Sequence, residues 1–210
     1  MELRIEQQAR GTRIIYGEEA RRRRRILAEM CDMLEARGFE PIELPGIEPA
    51  SLYADKIGQE MTGEMYRFPD RKGRELCLRP EGTATVQAIA REHWRGQEKV
   101  VYYVTRCYRY ERPQAGRYRE FIQLGVEWIN PQDPEYADAF LFDVAEGLVH
   151  MVTRNYLVHR SVKRGLTYYT GEGFEITCPE LGAQKQVCGG GPYAEGVGFA
   201  IGFDRLMLVK

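Results

Sequence analysis

The sequence predicts an α+β domain built on an antiparallel β-sheet with flanking helices. Two long alternating runs between Val100 and Asn130 flank a turn-like stretch at residues 112–116, which is typical of an antiparallel hairpin. Apolar residues recur at helical spacing from Glu18 to Arg37 and again from Pro134. No linker, repeat or change of composition divides the chain, so we expect residues 1–210 to form a single domain.

The composition excludes several classes of protein. Basic and acidic residues nearly balance, 30 against 31, so the chain as a whole is not a polyanion-binding surface and any such site must be local. It has no run of eighteen apolar residues and no signal-peptide pattern at its start, so we expect a cytoplasmic protein without a membrane partner. Five cysteines without a CxxC pair predict reduced, mostly buried thiols, and the sequence indicates no metal ligands.

The first strong element is an amphipathic helix from Glu18 to Arg37, with Gly38 where a left-handed cap would lie. Five consecutive arginines, residues 21–25, fan around this helix and cannot form a single-sided stripe. We therefore expect a solvated face paired with nearby glutamates, with an RNA contact as the less favoured alternative.

The later elements follow from the same patterns. Residues 39–48 predict a strand broken at Pro45, and a helix is expected after Gly82. The helix that starts at Pro134 is expected to face the core with Tyr136, Phe140, Val144, Leu148, Met151 and Val152. Residues 174–178 predict a strand, and residues 196–210 predict a strand, a glycine and a helix in succession.

The two faces of the hairpin differ in chemistry. Even positions of its second arm are apolar, from Ile122 to Trp128, which indicates a core face. The opposite face combines polar, aromatic and charged side chains, namely Thr105, Cys107, Arg109 and Glu111 on the first arm and Arg119, Phe121, Gln123, Gly125 and Glu127 on the second. These side chains suit the floor of a ligand-binding site, because guanidinium groups can bind a phosphate and an aromatic ring can stack on a base. An edge hairpin with cross-strand salt bridges remains the alternative.

Three further segments favour a ligand site. Glu81 and Thr83 flank a glycine and suit an ammonium group, and an arginine at position 164 shortly precedes two tyrosines. The glycine run at residues 187–191 leaves room for a ligand, and Arg205 at a predicted helix start suits a polyphosphate. The alternatives are a surface turn, a core tyrosine pair, a plain loop and a surface arginine paired with Asp204.

Together these segments resemble class II aminoacyl-tRNA synthetases, and specifically the catalytic core of histidyl-tRNA synthetases. Residues 108–127 (YRYERPQAGRYREFIQLGVE) are similar to motif 2, and residues 198–206 (GFAIGFDRL) to motif 3. Residues 36–49 are similar to motif 1, with Pro45 as its proline, and ARGTR near the start resembles the N-terminal signature. The segments LRPEGTA and KRGLTYYTGEGFEI resemble the amino-acid loop and the histidine-specific segment.

The resemblance implies a class II synthetase-like catalytic domain that converts L-histidine and ATP into histidyl-adenylate and pyrophosphate, with Mg²⁺ on the phosphates. It implies that Glu81, Thr83 and Gln123 hold the ammonium group, Glu127 and Tyr169 contact the imidazole, and Tyr168 lines its pocket. It implies the following nucleotide-binding residues: Arg109 on the α-phosphate, Phe121 on adenine, Arg205 on the γ-phosphate, and Arg119, Glu111 and Arg117 in support. The implied catalytic residues are Arg109, Arg164 and Gln123.

Departures from the family pattern leave other functions open. Only 36 residues separate Glu127 from Arg164, too few for the usual insertion domain, and the chain stops after motif 3, before an anticodon-binding domain. Thr167, Pro192 and Ala194 replace residues that are usual in the family. The alternatives are a histidine sensor similar to the regulatory subunit of ATP phosphoribosyltransferase, a structural accessory subunit and an excised or engineered core.

The resemblance also implies partners. The family dimerises through motif 1, so we expect a homodimer. The histidyl group would pass to a tRNA acceptor stem or to another acceptor, which the sequence does not name.

Overall fold

A computed structural model describes residues 2–3, 5–54, 57–163 and 165–209 of the chain. Its helices are α1 Gly17–Glu35, α2 Gly58–Gly63, α3 Thr83–His93, α4 Pro134–His150 and α5 Phe203–Leu206. Its strands are β1 Glu2–Leu3, β2 Ile14–Ile15, β3 Glu40–Pro41, β4 Ile47–Pro49, β5 Arg67–Pro69, β6 Glu75–Leu78, β7 Lys99–Tyr108, β8 Glu120–Ile129, β9 Leu157–Val162, β10 Gly173–Thr177, β11 Gln186–Tyr193 and β12 Gly196–Gly202.

A seven-stranded sheet carries the fold. Its strand order is β3-β7-β8-β12-β11-β10-β9, and every neighbouring pair is antiparallel except β3 with β7. A three-stranded sheet of order β4-β6-β5 and the short β1-β2 pair complete the strands of the described residues. The predicted α+β class with a mainly antiparallel sheet is confirmed.

Helices α1 and α4 cover one face of the large sheet. Met30 and Leu34 of α1, Leu141 and Leu148 of α4, and Leu124 of β8 belong to one buried cluster. Helix α1 follows its predicted pattern and is followed by Gly38 at φ +83°. On the opposite face α3 packs against β7, and this face carries the candidate site.

Two expectations about helix faces need correction. Arg23 is buried and pairs with Asp204, so the arginine run is not wholly solvated, because this position of α1 turns toward α5. On α4, Tyr136 is 58% exposed and Met151 is 40% exposed, although both were expected to face the core. Tyr136 lies in the first turn of α4 and Met151 at its C-terminal cap, so both lie at the ends of the helix, where less of the side chain is covered.

Three further features of the structure bear on the sequence analysis. The glycine run at residues 187–191 forms part of β11 rather than a loop, because its backbone pairs with β10 and β12. Four of the five cysteines are buried. Among the described residues, no helix has both the length and the apolar character needed to span a bilayer.

Candidate active site

A cavity of about 450 Å³ lies where the hairpin of β7 and β8 meets β11, β12 and the start of α5. Ten of the residues that the sequence analysis singled out line it. These are Glu81, Thr83, Arg109, Glu111, Arg117, Phe121, Gln123, Tyr168, Tyr169 and Arg205. The fold therefore brings together side chains from segments that lie up to 124 positions apart in the sequence.

The register of the hairpin explains why its polar side chains share this cavity. Cys107 lies opposite Phe121, and Thr105 lies opposite Gln123. Directly opposed residues of antiparallel strands project from the same face, so the odd positions of both arms meet. The Sγ atom of Cys107 donates to Oε1 of Gln123 at 3.3 Å, which orients that amide. The predicted shared face is confirmed for these paired positions, whereas Arg109, Glu111 and Arg119 lie beyond the ends of β7 and β8.

The Glu81 carboxylate lies at the N-terminus of α3. Its two oxygens accept from the backbone N–H groups of Thr83 and Ala84, each at 2.8 Å, which satisfies donors that the first turn of a helix leaves free. Burial raises the pKa of Glu81, while these two donors and the nearby Arg109 act in the opposite direction. A carboxylate has about four acceptor positions, so it retains capacity for a ligand donor after capping the helix.

Glu127 lies just behind the cavity wall and is fully buried. Its carboxylate accepts from Thr83 Oγ1 at 2.7 Å, from the Tyr193 hydroxyl at 2.8 Å and from the Tyr103 hydroxyl at 3.4 Å. Burial raises the pKa of this carboxyl from 4.5 to about 8, although the three hydroxyls lower it in part. Gly198 lies directly opposite on β12, and a Cβ there would lie 1.7 Å from Glu127 Oε2.

Sequence reasoning missed Tyr103 and Tyr193. Tyr103 shares the parity of Thr105 and Cys107, and this signal was present in the alternation of β7. Its ring fills the space above Gly82 and Gly125, where an added Cβ would lie 2.4 Å and 2.1 Å from ring carbons. Tyr193 had no comparable signal, because only the pairing of β11 with β12, and of β12 with β8, brings it to Glu127.

Tyr168 and Tyr169 form the aromatic wall of this end of the cavity, and Tyr193 packs behind them. The Tyr168 and Tyr169 rings lie 4.6 Å apart between centroids, and Tyr168 meets Tyr193 nearly perpendicularly at 6.1 Å. The Tyr168 hydroxyl is 3.5 Å from Glu81 Oε2. This end therefore combines two buried carboxyl groups with hydroxyls and aromatic faces, which suits a small ligand that carries an ammonium group and a polar ring.

Arginines line the other end of the cavity. Arg109 Nε donates to the Pro80 carbonyl at 2.9 Å, and its guanidinium carbon lies 5.1 Å from the centroid of the Phe121 ring. Arg205 donates to the carbonyls of Gly116 at 2.8 Å and Gln186 at 2.7 Å. Backbone oxygens thus orient both guanidiniums while leaving their positive charges uncompensated by these partners, which suits a phosphate chain.

Two of the supporting residues interact with each other at this end. Arg117 pairs with Glu111 and, at 3.3 Å, with Glu64.

Burial lowers the pKa of Arg205, and the nearby Arg109 and Arg117 add to this effect. Arg205 does not pair with Asp204, so the alternative of a surface arginine bound to its neighbour is wrong.

Two predicted residues among the described ones stand apart from the cavity lining. Glu127 lies behind the wall, as described. Arg119 turns away, because its Nε donates to the Glu111 carbonyl at 3.0 Å and its guanidinium carbon lies 3.9 Å from the centroid of the Tyr110 ring. Arg164 lies outside the described residues.

The described residues contain no group of three or more His, Cys, Asp or Glu side chains arranged to hold a metal ion. A magnesium ion that arrives with a nucleotide needs few protein ligands, because phosphates and water molecules supply most of its six oxygens. Glu111 lines the arginine end and carries oxygen donors of the required chemistry. The residues present therefore fit Mg²⁺ bound by a nucleotide, and do not form a metal site built from protein ligands alone.

Comparison with known proteins identifies relatives for most of the chain. The model of the histidyl-tRNA synthetase family matches residues 11–145. A histidine–tRNA ligase from Archaeoglobus fulgidus is 30% identical over 303 aligned positions, covering 94% of this chain and 74% of the relative. The alignment is longer than this chain of 210 residues, so the relative contains residues that have no counterpart here.

Solved structures agree with this comparison. The apo histidyl-tRNA synthetase of S. aureus matches 97% of this chain and 70% of its own length, with a TM-score of 0.77 and 25% identity. A protein of Bacillus halodurans described as an ATP phosphoribosyltransferase regulatory subunit/histidyl-tRNA synthetase matches 99% of this chain and 84% of its own length. Its TM-score is 0.78, but its identity is 16%, so this likeness concerns the fold alone.

Proposed function

Because this chain belongs to the histidyl-tRNA synthetase family, we propose that it activates L-histidine with ATP to give histidyl-adenylate and pyrophosphate. The observation that carries the proposal is one cavity with two chemically different ends. Glu81, Thr83 and Tyr168 line one end, with the buried Glu127 behind it, and Arg109 and Arg205 line the other. A site that binds an amino acid beside a nucleoside triphosphate requires these two environments next to each other.

The carboxylate end is the proposed histidine site. Glu81, Thr83 and Gln123 would hold the ammonium group, since each offers an oxygen acceptor toward the cavity. Tyr169 would contact the imidazole and Tyr168 would line its pocket, while Glu127 would act on the imidazole from behind the wall, where it holds the Thr83 hydroxyl. The hydroxyls of Thr83 and Tyr193 hydrogen-bond to the Glu127 carboxyl group and fix its orientation before a ligand binds.

The arginine end is the proposed ATP site. Phe121 would pack on the adenine, Arg109 would bind the α-phosphate and Arg205 would bind the γ-phosphate. Glu111 and Arg117 would support the nucleotide. The position of Arg119 beneath the Tyr110 ring limits it to an indirect contribution through the Glu111 backbone.

The reaction is an in-line displacement at phosphorus. A histidine carboxylate oxygen forms a bond to the α-phosphorus, the bond from that phosphorus to the oxygen bridging toward the β-phosphate breaks, and pyrophosphate leaves. Arg109, and Arg164 by family resemblance, would stabilise the negative charge that develops on the α-phosphoryl oxygens. Mg²⁺ bound to the phosphates would neutralise charge on the leaving group. No covalent protein intermediate is needed, because positioning and charge stabilisation account for catalysis.

The fate of the adenylate and the assembly of the protein are part of the same proposal. The relatives are ligases that act on tRNA by name, and we propose that a tRNA acceptor stem or another acceptor receives the histidyl group. We also propose a homodimer formed through the motif 1 region at residues 36–49.

Histidine-dependent exchange of labelled pyrophosphate into ATP tests the activity. The assay is run with each of the twenty amino acids, and exchange is expected with histidine alone. Arg109→Ala should lower the exchange rate by about 100-fold or more, since it removes a donor to the developing charge. Arg106→Ala is the matched control, because Arg106 lies on β7 three positions before Arg109, with its side chain 61% exposed and paired with Glu120.

Two outcomes would contradict the proposal. If histidine binds by calorimetry but supports no exchange, the protein is a histidine sensor rather than an enzyme. If Arg109→Ala exchanges pyrophosphate as fast as the unmodified protein, the arginine end is not the site of the chemistry.

A further inference from the structure

A buried carboxylate next to Arg205 connects four separate parts of the chain. Asp204 lies in the first turn of α5 and is 4% exposed. Its Oδ1 accepts from Arg23 Nη2 at 2.6 Å and also from Arg13, and its Oδ2 accepts from the backbone N–H of Ile122. The N-terminal segment, α1, β8 and α5 therefore meet at one side chain.

The N-terminal segment makes further contacts with the middle of motif 2, just before β8. The guanidinium carbon of Arg13 lies 3.5 Å from the centroid of the Tyr118 ring. The Gly11 carbonyl accepts from the backbone N–H of Arg119 at 2.9 Å. Residues 11–13 therefore hold the chain just before β8, and the proposed adenine-binding Phe121 is the second residue of that strand.

The two arginines do not line the candidate active site, although Phe121 and Asp204 line both that site and the cavity beside the arginines. Arg13 and Arg23 line a second cavity of about 590 Å³, together with Arg106 and Ile122, a cross-strand pair that does not line the first cavity. They are therefore placed to act on the nucleotide end through Asp204 and β8 and not by touching ATP.

We propose that Arg13 and Arg23 are positioning residues for ATP, which act through Asp204 to hold Arg205 and Phe121 in the geometry that binds the nucleotide. This inference rests on the proposed function, since it concerns the same site. Asp204 precedes Arg205 in α5, and its Oδ2 holds the backbone of the residue that follows Phe121. Two charged hydrogen bonds from arginines fix that carboxylate, because a buried charge adopts the orientation in which its partners satisfy it.

The test compares Michaelis constants in the pyrophosphate-exchange assay for Arg13→Gln and Arg23→Gln. Each variant should raise the KM for ATP about tenfold and leave the KM for histidine within twofold. Arg13→Lys, which keeps the charge, should recover part of the loss. Arg25→Gln is the control on α1, the helix that carries Arg23, because the Arg25 side chain is 63% exposed and lies 4.0 Å from Glu29. The KM values of the Arg25→Gln variant should equal those of the unmodified protein.

A purely structural role predicts a different result. Loss of folded protein would lower kcat and leave both KM values unchanged, and that pattern would overturn the inference, as would an equal rise in both KM values. Arg13→Gln protects the test if Arg23→Gln fails to fold, because Arg13 lies outside the helices.

The outcome can be separated from that of the proposed function. If the unmodified protein shows no histidine-dependent exchange, the proposed function fails, and equilibrium dialysis with Mg·ATP then tests the inference directly. In that measurement the Kd for ATP should still rise about tenfold in Arg13→Gln, and an unchanged Kd would overturn the inference alone.

Discussion

At the scale of single residues, the surroundings of Glu127 determine the pKa of its carboxyl group. Three hydroxyl groups surround the carboxyl, but burial dominates and raises its pKa to about 8. None of the contacts that raise or lower this value comes from a residue within 20 positions in the sequence. A glutamate on a strand of alternating residues would otherwise titrate near its ordinary value.

This raised pKa predicts how stability depends on pH. Between about pH 4.5 and pH 8 the folded protein keeps a proton on Glu127 that the unfolded chain has released. The free energy of unfolding should therefore fall as the pH rises through this window. Glu127→Gln replaces the carboxyl by a neutral group of the same shape and should reduce this fall, which urea unfolding at pH 5, 6, 7 and 8 would measure.

A control on the same strand separates this effect from general changes. Glu120→Gln removes a carboxylate that pairs with Arg106 at the surface, and its pH dependence should follow that of the unmodified protein. Glu127 is not the source of the pH dependence if the free energy of unfolding of Glu127→Gln falls with rising pH as steeply as that of the unmodified chain.

At the scale of elements, missing side chains on β12 and β8 make room for the buried groups of the site. Gly198 leaves space for the Glu127 carboxylate, and Gly125 leaves space for the Tyr103 ring. The strands pair closely enough that a methyl group at either position would overlap its neighbour. These glycines therefore serve packing across the sheet, since neither has a positive φ.

Gly198→Ala tests this close approach. The added Cβ would lie 1.7 Å from Glu127 Oε2 and 2.8 Å from the Val126 carbonyl, so the carboxylate must move. We expect a loss of about 1–3 kcal/mol in the free energy of unfolding, together with weaker histidine binding. Urea unfolding and calorimetry would measure the two effects.

Gly147→Ala is the opposite case. Gly147 lies within α4, and a Cβ there would meet nothing within 4 Å. The substitution should stabilise the protein by up to about 1 kcal/mol, because alanine favours a helix interior over glycine. If Gly198→Ala and Gly147→Ala changed the free energy of unfolding equally, the backbone preference of glycine, rather than the space beside Glu127, would determine that change.

At the scale of the whole molecule, α3 links the two main sheets. Ala84 packs in the cluster beside the three-stranded sheet, whereas Val86 and Ala90 pack against β7 of the seven-stranded sheet. One helix thus contributes to two cores, so neither sheet can lose its packing without affecting the other. We propose that residues 1–210 unfold as one domain for this reason.

The proposed dimer can be tested on the exposed surface of motif 1. Ile47 on β4 is 55% exposed, and a lysine there would place a charge in the proposed interface. We expect sedimentation velocity to show a dimer for the unmodified protein and a shift toward monomer for Ile47→Lys. Leu157→Lys is the matched control, because Leu157 is 54% exposed on the distant edge strand β9 and should leave the dimer intact.

A monomeric unmodified protein would contradict the dimer proposal. A shift caused equally by Leu157→Lys would instead assign the interface to the edge of the large sheet.

The sequence by itself determined the fold class, the hairpin and the side of it that faces the cavity. These follow from local rules, since alternation along a strand and periodicity along a helix depend on near neighbours. The shared face of Gln123, Phe121 and Cys107 was predicted in this way and is confirmed. The family was identified from several ordered motifs, which are also a property of the sequence alone.

Only the tertiary structure decided which distant side chains complete the site. Tyr193 reaches Glu127 through the order of β11, β12 and β8, and Arg23 reaches Asp204 across 181 positions. Such choices depend on long-range packing, which no local pattern encodes, because each partner lies on an element whose position the whole fold determines.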